Sequence, residues 1–297
     1  MTRSIEVTRA WLGRHPLPRP NATGDKEQRG QVLVVGGSAK VPGAVLLAGV
    51  AALRAGAGKL QLATVGSASI ALGVAVPESL VVGLPQTRTG EIAGARAASV
   101  LREYVRSADA ILVGPGMSSG RSARGFLAPI IRHLREDALL VLDAAAILAL
   151  KDEDSLLQSL AGRAALTPHA GEMAALLEID KRDVEADAAG VARLAAERFR
   201  AVVALKGAES WIAAPDGTLH HYAGGTVGLA TSGSGDTLAG IVAGFAARGA
   251  PALLAASWAV FLHGAAGRAL EKRMGTVGFL ARELLDEVPR LMHGLAR

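Results

Sequence analysis

Cysteine is absent from all 297 residues. That excludes a disulfide framework, thiolate zinc sites and a cysteine nucleophile, and it accords with a reducing, cytoplasmic setting. Aromatic residues are only 3% of the chain, too few for the stacking platforms of single-stranded nucleic-acid binders. The net charge is +5, but the arginines are scattered. With no basic patch and no recognition motif, no nucleic-acid partner is expected; the positive balance instead favours attraction of a phosphorylated ligand. The opening MTRSIEVTRAWLGRHPLPRP lacks the apolar core of a secretory signal. A charge-free run at 249–267 includes Pro251, Ser257 and His263, so it reads as a buried helix, not a membrane span, with Pro251 in its first turn. No Pro- or Ser-rich linker and no internal repeat interrupts the chain. One domain over 1–297 is expected, with 1–29 as an N-terminal extension.

What the chain does have is apolar residues, half of the total, arranged in alternating short and long runs. QVLVVGG (31–37), KLQLATV (59–65), SLVVGLP (79–85), ADAILVGPG (108–116), ALLVLDA (138–144), AALTPHAGE (164–172) and AVVALKG (201–207) begin as strands. AVLLAGVAALRAG (44–56), stopped by Gly56, FLAPIIRHLRE (126–136) and VARLAAERFRA (191–201) read as helices. A further helix is expected between 144 and 164, and SWIAAPDGTLHHY (210–222) as a hairpin with His220 and His221 on its surface. Such alternation implies βαβ units, and continuously apolar strands imply burial on both faces. The fold class is α/β, in three layers, with a mainly parallel central sheet.

Chemistry-bearing residues gather where these strands end: Gly36-Gly37-Ser38, Gly114-Pro115-Gly116, Asp143, Thr167-Pro168-His169 and Lys206-Gly207. The carboxyl edge of a parallel sheet is where open α/β folds bind ligands. The familiar phosphate motifs fail. AGAGKLQ (55–61) has Leu60 where a P-loop needs Ser or Thr, and Leu53 in place of its first glycine. GGSAKVPG (36–43) lacks the G-x-G-x-x-G spacing. His169 and Glu172 could share a helix face, but two residues do not make a metal site.

TVGLATSGSGDTLAG (226–240) is different. Leu238, Ile241, Val242 and Phe245 fall at helical spacing, so a helix begins near Asp236. Its first N–H groups have no partners within the helix and form an anion site. Gly233, Ser234 and Gly235 would be that anion hole, with Asp236 beside it. Two readings stay open on the residues alone. Asp236 is a helix N-cap, or it is the base that takes the proton of a hydroxyl accepting a phosphoryl group.

GSGDTLAG, taken with LTPHAGE (166–172), GGSAKVPGA (36–44), VVALKGAESWIAAPDG (202–217) and AVFLHGAAG (259–267), resembles the ADP/ATP-dependent NAD(P)H-hydrate dehydratases of the ribokinase-like superfamily. The resemblance covers nearly the whole chain from about residue 30. It implies a ribokinase-like fold and dehydration of (S)-NADHX or (S)-NADPHX back to NADH or NADPH, with ADP, or less favourably ATP, as co-substrate and Mg2+ as cofactor. It further implies Asp236 as catalytic base, and Ala44, Gly116, His169 and Asp236 as substrate contacts. Lys206, Gly207, Ala208, Glu209, Ser210 and Gly235 would bind the nucleotide. A homo-oligomer, a tetramer by resemblance, is implied as well. The chain is expected to carry no fused epimerase domain, so a separate NAD(P)HX epimerase would be its functional partner. His263, within the apolar run, is expected to be a satisfied core histidine.

Two departures from the family pattern stand out. The sequence after the central strand is DAAAI (143–147), without a second carboxylate, which leaves Asp143 alone as a magnesium or substrate candidate. GTVG (225–228) puts Thr226 and Val227 where an asparagine amide is usual. The competing readings are a kinase of a thiazole, hydroxymethylpyrimidine or pyridoxal precursor, and a binding protein that keeps the pocket without the chemistry.

Overall fold

The computed structural model describes residues 4–19, 26 and 28–295; residues 1–3, 20–25 and 27 of the expected extension lie outside the described residues. In chain order come β1 (Ile5–Glu6), α1 (Arg9–Arg14), β2 (Gln31–Val35), α2 (Gly43–Arg54), β3 (Lys59–Val65), α3 (Gly66–Ala75), β4 (Ser79–Leu84), α4 (Gly94–Ser107), β5 (Ala110–Val113), α5 (Gly120–His133) and β6 (Leu139–Leu142). Two 3-10 turns, Ala144–Leu150 and Gln158–Leu160, lead to β7 (Ala164–Leu166), α6 (Ala170–Leu177), α7 (Lys181–Ala186), α8 (Ala188–Phe199) and β8 (Val202–Leu205). After the hairpin β9 (Ser210–Ala213) and β10 (Leu219–Tyr222) come a 3-10 turn (Val227–Leu229), α9 (Ser234–Ala247), α10 (Ala252–Met274) and α11 (Ala281–Leu295).

The strands form one ten-stranded sheet in the order β1-β10-β9-β8-β7-β6-β5-β2-β3-β4. β9 alone runs against its neighbours. The period-2 alternation of a strand splits each apolar run between two cores: Val32 and Val34 face one, Leu33 and Val35 the other. α2, α9 and α10 cover the first face; α4, α5 and α8 cover the second. This is the three-layer α/β architecture that the alternation predicts.

The chain leaves β2 for β3 and β4, then crosses back to place β5 on β2's other side. The strand order therefore reverses between β2 and β5, and ligands gather at such a switch point. α9 reaches the sheet because it is small. A methyl on Gly240 would lie 2.1 Å from the Ala48 carbonyl oxygen, and one on Gly244 2.6 Å from that of Ala52. The glycines let α9 touch the backbone of α2.

Several expectations need correction. The segment between β6 and β7 forms 3-10 turns, not an α-helix. α5 starts at Gly120 and stops at His133, before the end read from periodicity. His220 is buried, not on the hairpin surface: Nδ1 lies 2.8 Å from Ser257 Oγ, and its ring meets that of Trp11 in a T-shaped contact. His221 is half-buried, stacked on Trp211. The local sequence does not reveal this burial, because β1 and α1 cover the hairpin through a contact across more than two hundred residues. α10 is long and apolar enough to cross a membrane by length and composition. Its packing against α9, α11 and β8 makes it a core helix, as the interrupted apolar run implies.

Candidate active site

The first turn of α9 organises the site. Gly233 is its N-cap with φ 87°, a left-handed conformation that glycine adopts without strain. Asp236 is the third helical residue and makes no capping hydrogen bond. The N-cap reading of Asp236 is thereby excluded. The N–H groups of this turn have no carbonyl inside the helix to bond.

Asp236 sits among charges. Burial raises its pKa, the negative charge of Asp143 raises it further, and the Lys206 ammonium pulls it partly back; the result is about 7. A carboxylate poised there can accept a proton near neutral pH. Lys206, at the end of β8, donates to Asp143 Oδ1 at 3.0 Å and lies 3.9 Å from Glu172 Oε2. Burial alone would lower the Lys206 pKa, but Asp143 and Glu172 outweigh it and hold the ammonium above its ordinary value. Asp143 is buried and also accepts a hydrogen bond of 2.6 Å from Thr167 Oγ1. Glu172 belongs to a capping box. Its Oε2 accepts from the His169 N–H at 2.9 Å, while His169 Nδ1 accepts from the N–H groups of Gly171 and Glu172. Burial would raise the Glu172 pKa; the His169 ring and Lys206 lower it overall.

A cavity of about 690 Å³ opens beside this cluster. Of the residues expected to bind the nucleotide or form the anion hole, Lys206, Gly207, Ala208, Ser210, Ser234 and Gly235 line it, and so does His169. A methyl on Gly235 would lie 3.2 Å from Lys206 Nζ, so the ammonium stands directly over the first turn of α9. The remaining walls are largely apolar, including Leu229, Leu238 and Val260. That composition suits a planar base with few polar contacts.

Glu209 does not join the lining. It turns away to His221 Nε2 at 2.9 Å. Gly233 packs on Leu47 instead of facing the cavity. Ala44 and Gly116 lie outside the cavity wall but meet each other at the switch point. A methyl on Gly116 would lie 2.9 Å from Ala44 Cβ and 2.4 Å from the Val41 carbonyl oxygen. Leu47 is one turn along α2 from Ala44, so its contact with Gly233 joins the switch point to the start of α9.

Sequence reasoning missed three participants. Glu172 is the third residue after its cap, a spacing that signals a capping box but not a partner for Lys206. Tyr222 and His263 also line the cavity. His263 is satisfied, as expected of a histidine in an apolar helix, but its partner is Ser234 in the first turn of α9. An isolated imidazole in an apolar helix was the available signal.

This sheet, with a Gly-rich helix start facing its carboxyl edge, defines a ribokinase-like enzyme. Its fold is shared by a ribokinase-like superfamily protein from Enterococcus faecalis, with a TM-score of 0.84, 25% identity, and 98% of this chain and 96% of that one covered. The chain belongs to the NAD(P)H-hydrate dehydratase family, whose model matches residues 32–290. It is 52% identical over 294 residues to the ADP-dependent (S)-NAD(P)H-hydrate dehydratase of Xanthomonas campestris, covering 98% of this chain and 97% of that relative. It also matches the ADP/ATP-dependent NAD(P)H-hydrate dehydratase of Bacillus subtilis, crystallised with ATP and Mg2+, with a TM-score of 0.79, 27% identity, and 99% and 100% of the two chains covered. Other relatives are bifunctional NAD(P)H-hydrate repair enzymes, and the chain spans about half of their length.

Proposed function

We propose that this enzyme restores (S)-NADHX and (S)-NADPHX to NADH and NADPH at the expense of ADP. The observation that carries the reading is Asp236, a carboxylate with a pKa of about 7 in the first turn of α9, close enough to Lys206 for the ammonium's charge to act on it. Hydroxide is a poor leaving group, so the ring hydroxyl has to be converted. Asp236 takes the hydroxyl proton as its oxygen attacks the terminal phosphorus of ADP; the bond from that phosphorus to the AMP oxygen breaks. The ring nitrogen's lone pair then expels phosphate, and loss of a proton from the adjacent carbon restores the ring double bond. The products are the reduced dinucleotide, AMP and phosphate. The protein supplies positioning and charge stabilisation: the α9 turn and Lys206 cradle the moving phosphoryl group.

In this reading the adenine and ribose of the nucleotide occupy the apolar cavity beside Gly207, Ala208 and Ser210, and Glu209 serves the loop from outside. Ala44 and Gly116 receive the hydrated dinucleotide at the switch point, with His169 between the two ligands. Among the described residues no three His, Asp or Glu side chains form a metal cluster, and Asp143 is committed to Lys206 and Thr167. Magnesium keeps its waters and is bound through one or two carboxylates plus phosphate oxygens; Glu172, 3.9 Å from the Lys206 ammonium, is the carboxylate that would hold it, which leaves Asp236 free as the base. When bound, the ion would neutralise charge on the phosphates. A tetrameric state, a cytoplasmic location and an epimerase partner for the other hydrate epimer complete the proposal.

The test is direct. Purified protein is incubated with hydrated NADH, Mg2+ and either ADP or ATP, and absorbance at the NADH band is followed. Recovery with ADP, faster than with ATP, is expected. No recovery with either nucleotide overturns the reading.

A further inference from the structure

His263 Nε2 makes two contacts with one residue: 2.9 Å to Ser234 Oγ and 3.0 Å to the Ser234 carbonyl oxygen. The carbonyl oxygen can only accept. Nε2 must therefore carry the hydrogen; an unprotonated Nε2 would set two lone pairs against each other at 3.0 Å. With its own hydrogen shared between the carbonyl and Oγ, Nε2 has no lone pair to receive the serine's proton. The ring is also neutral: burial pushes the His263 pKa down to about 4. The hydroxyl proton of Ser234 is left to point elsewhere, and both residues line the cavity.

We infer that His263 is a positioning residue that turns the Ser234 hydroxyl into a donor for the phosphoryl group held at the start of α9. The inference rests on the proposed function but adds a residue and a device to it. Ser234 is the first residue of α9. Its hydroxyl thus joins the Lys206 ammonium and the unbonded N–H groups of Gly235 and Asp236 as a third kind of donor, aimed where negative charge grows during transfer. Anchoring the Ser234 carbonyl from α10 also fixes the direction of those N–H groups. Neutrality matters here, because a charged imidazolium would compete with Lys206 for the same phosphate, and Lys206 itself lowers the His263 pKa. The arrangement supplies a preorganised dipole that needs no reorganisation at the moment of reaction.

The test is a double-mutant cycle with Ser234→Ala and His263→Leu, assayed with hydrated NADH, ADP and Mg2+. Wild-type turnover in the same assay separates failure of this inference from failure of the proposed function. Each single variant is expected to lower kcat at least about tenfold, with the KM for hydrated NADH little changed. The double variant is expected to lose no more than the worse single one, because one hydrogen-bonding unit has been removed. His263→Gln, whose amide N–H can donate to the same two oxygens, is expected to recover most of the activity; it also serves where the leucine variant is unstable. Because the ring stays neutral, His263→Gln should leave the midpoint of the kcat pH profile in place. Wild-type kcat in His263→Leu, multiplicative losses in the double variant, or a glutamine variant as slow as Ser234→Ala would each overturn the inference.

Discussion

Asp236 and Lys206 hold one another in working states, and each can be tested alone. Asp236 must be ionised to accept a proton, so kcat/KM should rise with pH through about 7. Asp236→Asn should lower turnover by at least about 10²-fold at pH 8, a gap that narrows as wild-type activity falls below pH 7. The same residue should cost stability. Its folded pKa lies above the ordinary carboxylate value, so the native state binds the proton more tightly than the unfolded chain does. That contribution is most favourable in acid and is lost as pH rises from about 4 to about 7. The asparagine variant should therefore melt higher than wild type at pH 8, with the gap closing below pH 4; equal melting at pH 8 would contradict the assigned burial. Lys206→Met makes the opposite case. It strips the ammonium from a buried carboxylate, Asp143, and breaking a buried pair costs about 3–5 kcal/mol. Urea unfolding should show that loss together with loss of activity. Adding Asp143→Asn should return much of the stability without returning the activity.

Elements bring these residues together through glycine. At α2 and α9 a methyl at Gly240 would lie 2.1 Å from the Ala48 carbonyl oxygen, a backbone atom, and 2.7 Å from Ala51 Cβ. Gly240→Ala should therefore lower stability by about 1–3 kcal/mol or more. Ala51→Gly removes the side-chain contact but should not rescue it, since the nearer Ala48 carbonyl oxygen remains. A thermal melt of the single and double variants decides this, and rescue by Ala51→Gly would mean that side chains, not backbone, set the spacing. The sequence carried the pieces of this arrangement unevenly. Strand runs, the turns after them and the start of α9 depend on local pattern, and Gly233 to Asp236 could be placed from it. The Lys206–Asp143–Glu172 cluster could not, because it depends on β6, β7 and β8 lying side by side, as does the bridge between His169 and Lys206. Nor could the 3-10 turns after β6. Ala144 to Leu150 is apolar and alanine-rich, as a helix would be, but the segment begins with Ala144 in a left-handed conformation. Tertiary context overrides propensity there.

At the scale of the whole molecule, the N-terminal segment adds the edge strand next to β10 and reaches the side of the sheet proposed for the nucleotide. β1 pairs with β10, Trp11 is buried against His220, and Trp258 Nε1 donates to the His15 carbonyl oxygen at 2.8 Å. From the same hairpin, His221 bridges Glu6 Oε1 at 2.5 Å and Glu209 Oε2 at 2.9 Å while its ring stacks on Trp211. Glu209 lies in the loop that runs from Lys206 to Ser210, so β1 is tied to that loop through one imidazole. Burial lowers the His221 pKa, but the two carboxylates more than offset it and the net shift is upward. The bridge is therefore intact when the ring is charged. Its contribution is fully present below the ordinary histidine value of 6.5 and is lost as pH rises through the higher folded value. The KM for ADP should accordingly increase with pH in that window, beyond any change in kcat. Both carboxylates are more than half exposed, so the effect should shrink at high ionic strength. Glu6→Gln should flatten this part of the profile while leaving the Asp236 transition near pH 7 in kcat. A profile of KM unchanged by Glu6→Gln would reduce the bridge to a surface contact, and the N-terminal segment to a cover for the β10 edge.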